Sequence, residues 1–356
     1  MQQTKKFIQI GCGGMGSDWV GVTMPRLIDE LKMAEAAAVV DINPETFPLA
    51  QERCRLPAEK CYTDIDKAFA ENKADFAIVV VPPACHEAVV NVALQHDMHV
   101  LSEKPIADTM EACCRIYKKV EQAGKKMAVT MSHRFDQDKQ TLERRIKSGE
   151  YGKLDYLIGR NTWTCRKLCQ WGRKFRYEMP DPLLIEGVVH HFDIVRSLTS
   201  SNARTVHAVT WNPAWSEFQG HAQGLILIEM ENGVKVVYEG AKANATQLNK
   251  WSHDYWRAEC EIATLELDNR KLRIMSDLDG ERKTQDIPLD EQDVWTNAWL
   301  AELFVEWLRG GDPPPNNLDD NIQCAALLFA AIESAHTGRI VDVQEYLRQK
   351  MAETEP

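Results

Sequence analysis

Residues 7–41 read FIQIGCGGMGSDWVGVTMPRLIDELKMAEAAAVVD, and this stretch decides the fold of the first half of the chain. The apolar run Phe7–Ile10 predicts a buried strand that leads directly into a glycine-rich turn, after which a helical pattern starts. The turn consists of Gly11, Cys12, Gly13, Gly14, Met15 and Gly16. Such a turn lets the backbone approach a pyrophosphate, and the N-terminus of the following helix favours anions. We therefore predict that these six residues bind a dinucleotide.

A second predicted strand, Ala36–Val40, ends at Asp41. An acid at this point can accept hydrogen bonds from the hydroxyls of the adenine ribose, and it repels the 2′-phosphate of NADP. Asp41 therefore favours NAD as the cofactor. The alternative interpretation is a glycine-rich turn without a dinucleotide, in which Asp41 caps the predicted helix Pro44–Cys54.

Apolar runs and helical stretches alternate through the first part of the chain. The predicted strands are Phe7–Ile10, Ala36–Val40, Phe76–Val81, His99–Leu101 and Met127–Thr130. The predicted helices are Ser17–Met33, Pro44–Cys54, Ile65–Glu71, Ala84–His96 and Thr109–Ala123. Alternation of this kind is typical of a parallel sheet covered on both faces. We predict an α/β protein that starts with a doubly wound, Rossmann-type parallel sheet.

The second half of the chain has a different pattern, with longer strands joined by short turns. These strands are Leu154–Thr164, Arg204–Trp211, Gln223–Met230, Val234–Ala241, Arg257–Leu267 and Lys271–Met275. The helices predicted here are Gly187–Leu198, Val294–Arg309 and Asp320–His336. Short turns between consecutive strands predict a largely antiparallel sheet.

Composition narrows the class of protein. The 356-residue chain carries a net charge of −11, which would repel nucleic acid and anionic lipid. No apolar run is long enough for a signal peptide or a membrane span. Without a secretory signal, the ten cysteines indicate reduced thiols rather than disulfides, and we expect a cytoplasmic location. Cys165 and Cys169 lack a second close pair with zinc-site spacing, and we expect no metal.

Several motifs, in this order, resemble the Gfo/Idh/MocA family, the group of glucose–fructose oxidoreductase and inositol dehydrogenase. They begin with the glycine turn and continue with Val81-Pro82-Pro83 and His86, Glu103-Lys104-Pro105, Ser132-His133-Arg134-Phe135-Asp136, Ser148-Gly149-Glu150-Tyr151-Gly152, Glu333-Ser334-Ala335 and Thr337-Gly338. The resemblance spans almost the whole chain.

The resemblance implies an NAD-binding Rossmann domain over residues 1–128 and an α+β domain over 129–356. The second domain would bind substrate and would carry a large, open, mostly antiparallel sheet that serves as an oligomer interface. The active site would lie between the domains, with Lys104 near the nicotinamide and a Lys104–Pro105 bond that can be cis. We expect Val81, Pro82, His86, Glu103 and Lys104 to contact the cofactor, and Lys104 and Arg134 to contact the substrate.

A predicted helix of the second domain carries the remaining candidate catalytic residues. Family members commonly have an acid, a histidine four residues later and another acid three residues after that, which Glu186, His190 and Asp193 match. The spacing places all three on one helical face. His190 fits the family's general base, since imidazole titrates near neutrality. Glu186 stands where the family often has aspartate, so it either orients His190, binds a substrate hydroxyl or caps the helix.

Asp193 is either structural or part of the site. The neighbouring His191 points about 100° away from His190 on a helix and is expected to pack or to form an interface. A zinc site at Glu186 and His190 would need a third ligand that the sequence does not supply.

The segment from Arg160 to Tyr177 contains no acidic residue, so it is positively charged although the chain as a whole is negatively charged. Its basic residues are Arg160, Arg166, Lys167, Arg173, Lys174 and Arg176. We predict that Arg166, Arg173 and Arg176 hold an anionic group of the substrate. Trp163 and Trp171 would offer a flat face to a sugar ring. The alternative is a solvated loop or a subunit contact.

These features favour hydride transfer between NAD and a secondary hydroxyl of a sugar, polyol or sugar derivative that can be anionic. One alternative is a redox-neutral, NAD-dependent enzyme that cleaves glycosides by transient oxidation and elimination. A second is a non-catalytic, dinucleotide-binding regulator. An open sheet needs covering, so we expect a homodimer or a homotetramer.

Overall fold

The computed structural model describes residues 3–170 and 172–355. The chain forms two compact units. The first comprises Met1–Phe135, Asp293–Ile322 and Lys350–Pro356, and the second comprises Asp136–Gln292 and Gln323–Gln349. Within the described part of the chain, no helix combines the length and the apolar character needed to cross a membrane.

The first unit contains a six-stranded parallel sheet with the strand order β3-β2-β1-β4-β5-β6. Its strands are β1 Lys5–Ile10, β2 Ala34–Val40, β3 Cys61–Tyr62, β4 Phe76–Val79, β5 His99–Ser102 and β6 Met127–Val129. This is the order of a dinucleotide-binding Rossmann sheet, in which ligands lie at the carboxyl ends of the strands. The predicted fold of this part is confirmed, although the two-residue β3 was missed.

Helices cover this sheet between its strands. They are α1 Met15–Asp18, α2 Phe47–Cys54, α3 Ile65–Glu71, α4 His86–Gln95 and α5 Met110–Gln122. The helix predicted over Ser17–Met33 begins earlier, as α1, and continues through two π-helical turns, Trp19–Thr23 and Arg26–Glu30. The resulting longer connection explains why Asp41 follows the glycine turn at more than the usual interval.

The core of the first unit includes a helix from late in the sequence. Phe7, Phe76 and Trp19 are fully buried there with Leu300 and Phe304, and the rings of Phe76 and Phe304 meet edge-on at 5.6 Å. The predicted division after residue 128 therefore differs from the two units, because residues 293–322 return to the first. Sequence order alone cannot reveal such a return, since it depends on which apolar faces meet in three dimensions.

The second unit contains a nine-stranded sheet with the order β14-β13-β12-β11-β7-β10-β9-β8-β15. Its strands are β7 Leu154–Thr162, β8 Ala203–Trp211, β9 Gln223–Met230, β10 Lys235–Ala241, β11 Tyr255–Cys260, β12 Thr264–Asp268, β13 Lys271–Ser276, β14 Lys283–Ile287 and β15 Val341–Asp342. All neighbours pair antiparallel except β7 and β10. The predicted sheet is confirmed.

Two details of this sheet differ from the prediction. The single strand predicted over Arg257–Leu267 is the hairpin β11–β12, whose turn lies at 261–263. Strand β14 was missed because four of its five residues are exposed, which leaves no apolar alternation to detect.

The remaining helices are α6 Gln137–Lys147, α7 Phe175–Glu178, α8 Val189–Thr199, α9 Thr296–Leu308, α10 Leu318–Thr337 and α11 Val343–Glu353. A π-helical turn, Leu184–Val188, leads directly into α8, and every residue of α8 is buried. A helix buried all round belongs to the core of its unit. The side chains at the start of α8 are therefore held firmly by their surroundings.

Candidate functional site

The glycine turn after β1 leaves no room for side chains at two positions. A Cβ atom on Gly11 would lie 1.9 Å from the carbonyl oxygen of Val80, and Gly11 has a φ of +89° that favours glycine. A Cβ atom on Gly16 would lie 2.3 Å from the carbonyl oxygen of Gly11. These close approaches are the glycine roles that the sequence predicts for a dinucleotide turn.

The carboxylate of Asp41 lies against this turn. One of its oxygens accepts hydrogen bonds from the backbone N–H groups of Cys12 at 2.7 Å and Gly13 at 3.1 Å. The other oxygen accepts from the N–H of Asn43 at 2.8 Å. The acid after β2 is thus fixed beside the turn, where a ribose adjoining the pyrophosphate would lie, and this arrangement fits a dinucleotide.

Gln9, which the sequence analysis did not single out, holds the turn from beneath. Its buried side-chain amide donates to the carbonyl oxygens of Gly11 at 2.9 Å and Gly16 at 3.1 Å. The available signal was a polar residue inside the apolar run Phe7–Ile10. Such a residue is expected to have hydrogen-bond partners in the core.

The Glu103-Lys104-Pro105 motif follows β5, and its Lys104–Pro105 peptide bond is cis, as the resemblance implied. Glu103 accepts a hydrogen bond from the indole N–H of Trp19 at 2.8 Å. Burial raises the pKa of Glu103, and the neighbouring Lys104 charge acts in the opposite direction. The half-buried Lys104 therefore has a buried acid beside it.

His86 joins the loop after β4 to the loop that carries the motif. Its Nε2 lies 2.9 Å from the carbonyl oxygen of Val81, and its Nδ1 lies 3.0 Å from that of Pro105. The ring is fully buried, and burial lowers the pKa of His86. The polar atoms of His86 thus face backbone carbonyls, and the contact of His86, Val81 and Pro82 with the cofactor stays a prediction.

Arg134, predicted to bind substrate, lies in the first unit with 5% of its surface exposed. Its guanidinium donates to the carbonyl oxygen of Pro315 and lies 3.4 Å from the carboxylate of Asp320. These contacts tie the end of the Rossmann segment to the returning segment 293–322. The contact of Arg134 with substrate stays a prediction.

In the second unit, Glu186 lies in the π-helical turn that precedes α8. It is buried, with 4% of its side chain exposed, and one of its carboxylate oxygens lies 3.1 Å from Nε of Arg176. A π-helical turn inside a helix is frequent at functional sites. Arg176, predicted to bind an anionic substrate group, is therefore paired with Glu186, and the two predicted residues are brought together.

The imidazole of His190 packs against an indole. It meets Trp251 edge-on, with ring centroids 5.2 Å apart, and Trp251 in turn meets Trp163 at 5.7 Å. Trp163 was predicted to offer a flat face to a sugar, and the structure brings it into one cluster with His190. Trp251 was missed, because it lies in an irregular loop between β10 and β11 where no spacing rule applies.

Lys242 is a buried cation beside this helix that the sequence analysis also missed. Its ammonium nitrogen lies 3.1 Å from the position that a Cβ atom on Gly187 would take. Burial raises the pKa of the Cys165 thiol, and the nearby Lys242 charge opposes that rise. Its position directly after an apolar predicted strand was the sequence feature that could have marked Lys242 as a candidate.

The other members of the basic segment have different surroundings. Arg166 donates from Nε to the carbonyl oxygens of Ala243 and Asn244, and its guanidinium lies over the ring of Trp215. Arg173 is exposed to solvent. Trp171 lies outside the described residues.

Asp193 and His191 lie in the interior. Asp193 is fully buried, and the ring of His191 lies between the hydroxyl of Tyr238 at 2.8 Å and the carboxylate of Asp254 at 3.2 Å. The prediction that His191 is a packing residue is confirmed. Glu186 thus pairs with Arg176 before α8, His190 packs against Trp251, and His191 contacts Tyr238 and Asp254.

Two family models match the chain. The oxidoreductase family with an NAD-binding Rossmann fold, GFO_IDH_MocA, matches residues 5–131, and the GFO/IDH/MocA C-terminal domain matches residues 140–262. The two matches follow the order of the two sheets. The first match includes the glycine turn, Asp41 and Lys104, and the second includes Glu186 and His190.

Relatives of known sequence and structure agree with these matches. The Sinorhizobium fredii protein called Uncharacterized protein y4oX is 40% identical over 352 residues, covering 97% of each chain. Inositol 2-dehydrogenase of Pseudarthrobacter chlorophenolicus is 30% identical over 253 residues, covering 68% of this chain and 69% of its own. An Agrobacterium radiobacter oxidoreductase solved with NAD⁺, L-tartaric acid and magnesium superposes with a TM-score of 0.82 at 20% identity, covering 96% of this chain and 99% of its own. That superposition supports the fold.

Proposed function

Since the chain belongs to the Gfo/Idh/MocA family of oxidoreductases and its first unit is an NAD-binding Rossmann domain, we propose that it oxidises a secondary hydroxyl of a sugar, polyol or sugar derivative. The observation that carries the proposal is the cluster of His190 with Trp251 and Trp163 at the start of α8. Indole faces suit the apolar face of a sugar ring, and imidazole suits removal of a hydroxyl proton near neutral pH.

Each candidate residue has a proposed role in this reaction. The glycine turn and Asp41 would hold NAD, which would supply the hydride acceptor for this oxidation. We assign to His190 the removal of the hydroxyl proton, and to Lys104 the stabilisation of negative charge that develops during the transfer. Glu186, paired with Arg176, fixes the π-helical turn that leads into α8, the helix that carries His190.

An anionic substrate group remains part of the proposal. We assign this role to the predicted Arg166, Arg173 and Arg176, together with Lys242. Lys242 is buried beside Gly187. A buried ammonium group favours an anionic ligand more than an exposed one does, since water screens it less.

A panel of polyols, aldoses and sugar acids tests the proposed activity. The protein is incubated with NAD and each compound, and NADH formation is followed by absorbance. We expect NADH to accumulate in proportion to enzyme with at least one hydroxylated compound. Cleavage of an aryl glycoside with no NADH formed would instead show the redox-neutral alternative. NAD binding with neither activity would favour the regulator.

Asp41 provides a test of cofactor choice. We expect Asp41→Asn to weaken NAD binding by about ten- to a hundredfold, because charge-assisted hydrogen bonds contribute about 1.5–3 kcal/mol. NADP binding is expected to strengthen relative to NAD, since the repulsion of the 2′-phosphate is removed. Dissociation constants from fluorescence titration measure both effects. Asp66→Asn, at an exposed position of α3, is the matched control; equal effects of the two variants on NAD binding would contradict the role of Asp41.

One face of the nine-stranded sheet is the proposed interface between copies of the chain. Val209 lies opposite Leu225, and Leu227 lies opposite Val237, and each of these side chains is about half exposed. The alternate residues of the same strands, such as Ile226, are buried. A contiguous exposed apolar patch on one face of a sheet is typical of an interaction surface.

We expect Leu227→Arg to dissociate the homodimer or homotetramer, because it places a charge in the centre of this apolar face. Sedimentation velocity of wild type and variant at equal concentration measures the change in mass. Leu278→Arg, at a 71% exposed position after β13, controls for the added charge. A Leu227→Arg protein that keeps the wild-type mass would exclude this face as the interface.

A further inference from the structure

Three side chains of the second unit bring potential metal ligands together. Asp181, His221 and His336 each offer one ligand atom, and the three atoms lie within 4.8 Å of one another. They come from three separate segments. Asp181 precedes the π-helical turn before α8, His221 precedes β9, and His336 lies in the last turn of α10.

Asp181 is buried, His221 is held by a neighbouring hydroxyl and His336 is partly exposed, and this combination suits a bound cation. Asp181 is 2% exposed, and its carboxylate oxygen lies 3.1 Å from Nε2 of His336. The hydroxyl of Thr210 lies 2.6 Å from Nδ1 of His221 and fixes the orientation of that ring. Burying a carboxylate is unfavourable unless a positive charge or hydrogen bonds compensate it, and a neutral imidazole offers a single donor.

We propose that Asp181, His221 and His336 form a binding site for a divalent transition-metal ion such as Zn²⁺, Co²⁺ or Ni²⁺. Two imidazoles and one carboxylate are the ligand set that these metals prefer, whereas Mg²⁺ and Ca²⁺ favour oxygen ligands throughout. Thr210 acts as the outer-shell partner that holds one ligand ring. The site is distinct from the proposed hydride-transfer residues and does not depend on that function.

The distances require only a small adjustment. In a tetrahedral site with bonds of about 2.0–2.1 Å, ligand atoms lie about 3.3 Å apart. The pair Asp181 and His336 already has this spacing, so His221 closes the site by moving about 1 Å or a little more. The side chain of His336 is 48% exposed, which gives an ion access from solvent and leaves room for a water ligand.

An ion here would fix the beginning of the helix that carries the candidate catalytic residues. Asp181 lies five residues before Glu186 in sequence, and its carbonyl oxygen accepts the N–H of Ile185. A ligand that binds only the folded state stabilises it in proportion to its occupancy. Metal binding is therefore expected to raise the melting temperature.

The test uses full-length, untagged protein that has been treated with a chelator and then titrated with Co²⁺. We expect one ion per chain by calorimetry, a visible absorption band without strong thiolate charge transfer, and a higher melting temperature. His336→Ala and His221→Ala should each weaken binding by at least about tenfold. His336 is half exposed, so its variant is expected to keep the metal-free melting temperature.

Two controls make the outcome decisive. His253→Ala removes a histidine elsewhere in the same unit, and Cys169→Ser removes an exposed thiol; both should bind Co²⁺ as the wild type does. Absence of Co²⁺ binding in the wild type would overturn the proposal. Binding that survives both His221→Ala and His336→Ala, or that is lost in Cys169→Ser, would overturn it as well.

Discussion

The Lys104→Ala variant is expected to lose about 10²- to 10⁴-fold in kcat while it still binds NAD. Lys104 follows the buried Glu103 at the carboxyl end of β5, the edge of a doubly wound sheet where ligands bind. Removing its ammonium group removes the charge that we assign to stabilise the substrate oxygen during hydride transfer. Steady-state kinetics with the substrate found in the polyol panel measure the loss, and fluorescence titration measures NAD affinity.

Lys73→Ala is the matched control for this variant, because Lys73 is an exposed lysine of the same unit. Its kcat should equal that of the wild type. A Lys104→Ala protein with wild-type kcat would show that Lys104 has no part in the chemistry. Loss of NAD binding together with kcat would assign Lys104 to the cofactor instead.

The second large effect concerns stability and a buried lysine. The Lys139→Met variant is expected to unfold with a free energy about 3–5 kcal/mol lower than that of the wild type. Lys139 is 1% exposed, and its ammonium nitrogen lies 3.0 Å from Asp254, 3.1 Å from Asp138 and 3.5 Å from Asp136. Burial alone would lower the pKa of Lys139, but the three carboxylates raise it above its usual range.

Without this ammonium group, three buried carboxylates would repel one another. The effect would extend to α8, because Asp254 also contacts Nε2 of His191. Urea denaturation followed by circular dichroism measures the change. Lys147→Met, on the exposed side of the same helix α6, should change the free energy of unfolding by no more than about 0.5 kcal/mol. Equal stability of the two variants would show that the buried cluster contributes no more than a surface lysine.

Much of the first unit could be predicted because its signals are local. Phe7–Ile10, the glycine turn and Asp41 lie within one continuous stretch, and each has a steric or electrostatic requirement that only a few residue types meet. The close contact between Gly11 and the carbonyl oxygen of Val80 shows that requirement directly. The return of α9 to the first unit has no such local signal, since its apolar face would suit either core.

The candidate site of the second unit was only partly predictable. Glu186 and His190 follow a helical spacing that the sequence displays, but the pairing of Arg176 with Glu186 depends on how a loop folds back. Trp251 and Lys242 lie far from this helix in sequence and reach it only through the tertiary fold. The sequence of the basic segment shows that it is positively charged, but the acidic partner of each cation is known only from the structure.

The proposed hydride transfer from substrate to NAD is tested by following a deuterium atom bound to the substrate carbon. The substrate found in the polyol panel, deuterated at its secondary alcohol carbons, is incubated with the protein and NAD, and the nicotinamide product is analysed by mass spectrometry. We expect reduced cofactor to accumulate with one deuterium per molecule, at the rate of substrate loss. Substrate conversion or glycoside cleavage with no accumulation of labelled NADH would contradict the proposed transfer.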